Sequence, residues 1–264
     1  MSNISAKDVQ ALRKASGAGM MDSKRALEAT GGDMEAAAQW LREKGIVKTV
    51  DRLDRVSNQG AVAISTDGQR AAALVELKAE TDFSAKAPDF VTLVGELADL
   101  VLAKGEGAVE ERKAEVENLN ITKKENISVG TVARFEAADG NIIDTYLHRQ
   151  DGRGVIGVVL EGSGLDRETL HEVALHAAFA KPRYLRREDI PAADIEKERA
   201  NLLEITKAEG KPEAAWPKIV DGRVNAWIAD QTLLEQGIHG DKETVARRIG
   251  SGRIVRMALA VIQG

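Results

Sequence analysis

Leu74-Val75-Glu76-Leu77-Lys78-Ala79-Glu80-Thr81-Asp82-Phe83 is the stretch on which the fold turns. Leu74 to Ala79 alternates as a strand with one buried face does, and the alternation breaks at Glu80-Thr81-Asp82-Phe83. Thr81 or Asp82 has the short side-chain oxygen that accepts an orphan N–H in the first turn of a helix, so the strand is predicted to corner into a helix at Phe83. Phe83 then has two readings. It packs inward and staples the helix start, or it stands in solvent beside a carboxylate as an aromatic anchor for a protein partner. Beyond it, Phe90, Leu93, Val94, Leu97, Leu100 and Val101 recur at helical spacing, and Pro88 is tolerated near the start of that helix.

Working outward, Gly60–Ser65 and Gln69–Lys78 read as two strands joined by Thr66-Asp67-Gly68, a turn that needs positive φ. A second hairpin is predicted from Thr131–Ala137, Asp139-Gly140 and Ile142–His148, so the device occurs twice and suggests two related halves. Val155–Leu160 is apolar throughout, as in a central strand covered on both faces. Asp166 is placed to cap a helix that runs to Phe179. Residues 194–208 and 213–233, joined by Gly210-Lys211-Pro212, predict an antiparallel helical hairpin, with Pro217 kinking or restarting its second arm. Ile254–Val261 reads as a strand returning to the sheet. Upstream, residues 1–45 read as a three-helix module with Ser5 and Asp33 as caps and Gly31-Gly32 as a break, and residues 46–58 as a helical linker. The class is α+β with an all-α N-terminal module.

The chain has 264 residues, of which 43% are apolar, 30% charged and only 3% aromatic, so its core is built mainly of Ala, Val, Leu and Ile. It has no cysteine, which excludes disulfides and thiolate metal sites and fits a reducing compartment. A net charge of −5 argues against a general nucleic-acid binder. No apolar run is long enough to span a membrane and no signal-peptide core is seen, so a cytoplasmic location is expected.

Motifs that carry chemistry are nearly present and fail on context. Gly152-Arg153-Gly154-Val155-Ile156-Gly157 matches G-x-G-x-x-G, but a strand follows it where phosphate binding needs a helix. His171 and His176 are one residue too far apart for the zinc pattern; at about 100° per residue they lie roughly 140° apart on a helix. Arg183-Tyr184-Leu185-Arg186-Arg187 could meet phosphate, but Glu188 and Asp189 follow at once. His148 has no partner nearby in sequence. No catalytic, cofactor-binding or metal-binding residue is expected.

Several stretches together resemble bacterial elongation factor Ts. They are Leu12-Arg13 with Gly17-Ala18-Gly19-Met20-Met21-Asp22; Val75-Glu76 with Glu80-Thr81-Asp82-Phe83 and Ala85-Lys86; and Tyr146-Leu147-His148 with Gly157-Val158-Val159. Glu209-Gly210-Lys211-Pro212, Ile219-Val220-Asp221-Gly222-Arg223 and Leu233-Leu234-Glu235-Gln236 extend the match. Each is modest alone; their order along the whole chain is specific.

The resemblance implies a ubiquitin-associated-like domain over 1–45, a first core subdomain over 59–140, a second over 141–192 and 234–264, and a helical hairpin over 193–233. It implies a nucleotide exchange factor that binds elongation factor Tu and releases its GDP, without nucleic-acid or membrane contact. Thr81, Asp82, Phe83 and Ser84 would disturb the partner's magnesium and phosphate region, and Leu12, Met20, Met21 and His148 would make further contacts. The sequence departs from the family where Ser84 replaces the frequent Val, Ser23 the frequent Cys, and Lys123-Lys124 the Ile-Gly before Glu-Asn.

Overall fold

The computed structural model of the chain describes residues 4–16, 18, 20–41, 57–68 and 70–262. The linker expected over 46–58 therefore falls outside the described residues except for Ser57 and Asn58.

The N-terminal module contains helices α1 (Ala6–Ser16) and α2 (Met20–Ala29) and a helical segment, α3, over 34–41. Ser5 and Asp8 cap α1 reciprocally: Ser5 Oγ accepts the Asp8 N–H at 3.2 Å and Asp8 Oδ2 accepts the Ser5 N–H at 3.1 Å. Gly31 and Gly32, both at positive φ, end α2, and Asp33 Oδ1 accepts the Ala36 N–H. Val9, Leu12, Ala26, Leu27, Ala37 and Leu41 form the module's core.

The remaining chain is built on six antiparallel strands: β1 (Gln59–Thr66), β2 (Ala71–Ala79), β3 (Ser128–Glu136), β4 (Asn141–Gln150), β5 (Arg153–Ser163) and β6 (Arg253–Val261). The sheet order is β3-β2-β1-β5-β4, with β6 also on β5. It divides into two three-stranded halves, β3-β2-β1 and β4-β5-β6, whose strand pairing with each other is confined, among the described residues, to Val62 with Gly154. Connectivity repeats. In the first half, the β1–β2 hairpin leads into α4 (Asp82–Ala85), α5 (Pro88–Lys104) and α6 (Lys113–Lys123), and β3 then pairs with the hairpin's second strand. In the second, the β4–β5 hairpin leads into α7 (Arg167–Ala180). An inserted helical hairpin follows, α8 (Ala192–Ala208) and α9 (Trp216–Gln231), then α10 (Val245–Arg248). Finally β6 pairs with β5. Pro217 stands in the first turn of α9, where its missing N–H leaves no bond unmade.

Three cores stack through this body. Ala73, Val75, Leu77 and Ala79 of β2 pack on α5 and α6. Val158 and Leu160 of β5 pack on α7. Between the halves, Ala72 and Leu74 meet Ile143, Val159 and Ala260. β2 is thus buried on both faces, not one.

The hairpin expected from 131–137 and 142–148 does not form. β3 pairs with β2, β4 pairs with β5, and the two strands lie at opposite edges of the sheet. Asp139-Gly140 does turn the chain, with Gly140 at φ 80°, but the turn starts a crossover. A doubly buried β2 needs its backbone N–H and C=O groups paired along both edges, and β3 supplies the second edge. Glu161, 2% exposed, holds the crossover by accepting Asn141 Nδ2–H at 2.7 Å, the Ala138 N–H at 3.2 Å and Arg256 Nε–H at 2.6 Å. Burial pushes its carboxyl up, and bonds to Asn141 and Arg256 outweigh that and hold it below the usual carboxylate range.

His176 is part of the packing. Its Nδ1 accepts the His239 N–H at 3.1 Å, so its Nε2 carries the proton and donates to Gln236 Oε1 at 3.1 Å. Burial depresses its pKa. The unfolded chain then binds a proton that the folded chain refuses, so stability is full above about pH 6.5 and falls as pH drops toward the depressed folded value. Urea melts between pH 7.5 and 5.5 should show a loss of up to about 1.4 kcal/mol per pH unit below 6.5. This slope should shrink in His176→Asn.

Candidate functional site

The end of β2 sets the geometry. Thr81 is the N-cap of α4, with extended backbone (φ −121°, ψ 154°), and its Oγ1 accepts the Ser84 N–H at 3.3 Å. Asp82 therefore begins the helix. Phe83 projects outward and is 84% exposed, so the inward staple is not what forms.

Thr81 and Ser84 face the other way. Thr81 donates through its N–H to Glu125 Oε2 at 3.1 Å and through its hydroxyl to Glu125 Oε1 at 2.6 Å. Ser84, buried, donates its hydroxyl to the same Oε1 at 2.7 Å. Glu80 Oε1 in turn accepts the Asn126 N–H at 2.6 Å. Residues 80–84 and 125–126 thus clasp each other across 41 to 46 positions of sequence.

The Asp82 carboxylate is paired. Lys86 Nζ lies 2.9 Å from Asp82 Oδ2 and 3.0 Å from Asp151 Oδ2. The bond to Lys86 holds the Asp82 carboxyl below its usual range, and the two carboxylates, Asp82 first, raise Lys86. Asp151 belongs to the β4–β5 turn, so one ammonium ties the first half's corner to the second half. These three residues line a groove of about 480 Å³ with His148, Arg153 and Lys181. Arg153 Nη1 donates to the Gly60 carbonyl at 2.8 Å and holds the groove's floor to β1.

His148, which sequence left without a partner, shares this groove with Asp82. Tyr146 stacks on it at 6.4 Å between ring centroids, with Tyr146 Oη 3.3 Å from His148 Nδ1. Tyr146 also meets His171 edge-on, and His171 Nδ1 lies 2.7 Å from the buried Asp144 carboxylate. His171 and His176 thus have separate partners. Among the described residues no group of three or more His, Cys, Asp or Glu side chains is placed to hold a metal ion, and no helix is long and apolar enough to cross a membrane. In the N-terminal module Met20 and Met21 are 56% and 66% exposed, whereas Leu12 is 1% exposed and packs in the core.

The residue before Glu125 carries an unusual backbone. Lys124 ends α6 in the left-handed region (φ 58°, ψ 34°), where a Cβ is crowded. Lys124→Gly is expected to stabilise the chain by about 1 kcal/mol, read from a shift in urea midpoint at constant m.

A family model described as Elongation factor TS matches residues 80–257, which contain the corner, Glu125, His148 and the inserted helical hairpin. The chain belongs to the elongation factor Ts family. It is 42% identical over 262 residues to "Elongation factor Ts" of Clavibacter michiganensis subsp. michiganensis, covering 94% of each chain. It is 38% identical over 258 residues to that of Leifsonia xyli subsp. xyli, again with 94% of each covered. To that of Limosilactobacillus reuteri it is 39% identical over 262 residues, covering 95% of this chain and 89% of the relative. Its role is the elongation factor Ts role in translation elongation, that of a nucleotide exchange factor.

Proposed function

We propose that this chain binds elongation factor Tu carrying GDP and releases the nucleotide by driving Phe83 and Asp82 into the partner's magnesium and phosphate region. The observation that carries this reading is Phe83: an 84% exposed phenyl ring on a corner whose other side chains are tied down. A ring held in solvent gives up nothing to leave the protein and has its apolar area to gain on entering a partner. Asp82 brings negative charge toward phosphate, but it arrives paired with Lys86, which reduces the repulsion. His148 would touch the partner from the same groove. Thr81 and Ser84 would act by holding the corner, and Leu12 by supporting the exposed Met20 and Met21 from within.

An exchange factor needs only to bind the nucleotide-free partner better than the GDP-bound one. By linkage, the factor by which it weakens GDP equals the factor by which GDP weakens it. The direct test is release of fluorescent GDP from elongation factor Tu with catalytic amounts of this protein. Many partner molecules should be emptied per molecule added, and a stoichiometric response would defeat the reading.

We also propose that residues 1–45 are a separate grip on the same partner. Deleting them should leave the core folded, with its near-ultraviolet spectrum and urea transition retained, and should slow exchange by weakening binding. A deletion product that fails to fold would place the boundary elsewhere.

A further inference from the structure

We propose that Glu125 is a positioning residue for exchange, fixing the aim of Phe83 without touching the partner's nucleotide site; this rests on the wedge reading above. A wedge works only if it does not yield. α4 has four residues, too few to be rigid through its own backbone bonds. Its orientation must come from outside, and Glu125 supplies it. One carboxylate takes the Thr81 N–H, the Thr81 hydroxyl and the Ser84 hydroxyl, residues on both sides of Asp82-Phe83. Bonds to a charged acceptor are the strong ones. The adjacent Glu80–Asn126 bond runs between the same two segments, so the clasp resists rotation as well as displacement. The Ser84 hydroxyl adds a bond that an aliphatic side chain could not make.

Both hydroxyls converge on Oε1, while the Thr81 N–H meets Oε2. Glu125→Gln keeps the shape but removes the charge: with its amide nitrogen at the Oε2 place it meets the Thr81 N–H donor to donor, and with it at the Oε1 place both hydroxyls must turn from donating to accepting. Glu125→Ala removes the brace entirely.

The test measures GDP release from elongation factor Tu with the full-length protein and its Glu125→Ala, Glu125→Gln, Phe83→Ala and Glu125→Ala/Phe83→Ala variants. Amide hydrogen exchange is followed across residues 80–86. Glu125→Ala should slow release about tenfold, as for bonds to a charged group, and should speed hydrogen exchange at Thr81 and Ser84 in the unbound protein. Glu125→Gln should fall between it and the parent, and serves if the alanine variant is poorly folded. The double variant should be only slightly slower than Phe83→Ala alone, far short of the product of the two single losses, because only the smaller Asp82 contribution is left to aim once the ring is gone. Parent-like release in both Glu125 variants would overturn the proposal, as would an additive loss in the double variant. Parent-like release in Phe83→Ala would instead overturn the wedge reading itself.

Discussion

Phe83→Ala is expected to slow GDP release from elongation factor Tu by about 30-fold, the effect of losing roughly 2 kcal/mol at an interface hot spot. Its folding stability should stay within about 0.5 kcal/mol of the parent. A buried Phe cut to Ala costs about 3–5 kcal/mol because it leaves a cavity. At 84% exposure Phe83 leaves none. The two measurements therefore separate two roles that sequence periodicity could not. Asp82→Ala should have a smaller effect that weakens further with added salt, since an exposed charge paired with Lys86 is screened in solution. Unchanged release from a normally folded Phe83→Ala protein would remove the wedge from the mechanism and leave the family assignment standing.

What the sequence disclosed was local. The cap at Thr81 or Asp82, which the structure gives to Thr81, the Asp67-Gly68 turn, the Asp166 cap and the two arms of the helical hairpin each depend on residues within a few positions of one another, and each has a compositional mark. What it hid was long-range. Asp139-Gly140 has the mark of a hairpin, but the partner of β3 is β2, some 50 to 65 residues away, and no turn signal reaches that far. β2 was legible as a strand, yet its second buried face depends on Ala72 and Leu74 meeting the other half of the sheet. The role of Glu125 was hidden for the same reason: it lies 44 residues beyond Thr81, and the Glu-Asn pair at 125–126 carries no sign of which residues it meets. Whether Phe83 faced in or out could not be read from spacing, because the first turn of a helix permits both.

The glycines that mimic a phosphate loop lead to the second large effect. Asp151 and Gly152, at φ 51° and 79°, make the two-residue turn between β4 and β5. Gly154 is the residue that pairs with Val62 where the two halves of the sheet join, and a Cβ there would strike the Val62 carbonyl oxygen and the Leu147 side chain. Gly157 faces the same seam, where a Cβ would stand 2.6 Å from Val62 Cγ1 and 3.0 Å from Leu74 Cδ1. The pattern therefore spaces backbones, not phosphates. Gly154→Val should cost about 3 kcal/mol or more, at the upper end for overpacking, because the obstacle is main chain and cannot rotate away. Exchange should fall with it, since Asp151 and Arg153 flank the site, Asp151 pairing with Lys86 and Arg153 binding the Gly60 carbonyl, and both line the groove shared by Asp82 and His148. Gly152→Ala is the control. Its Cβ would meet open space, so only the positive φ is penalised, about 1 kcal/mol, and exchange should survive. Urea melts and release rates for the pair decide the matter: a Gly154→Val protein as stable and as active as Gly152→Ala would mean that the seam does not set the groove.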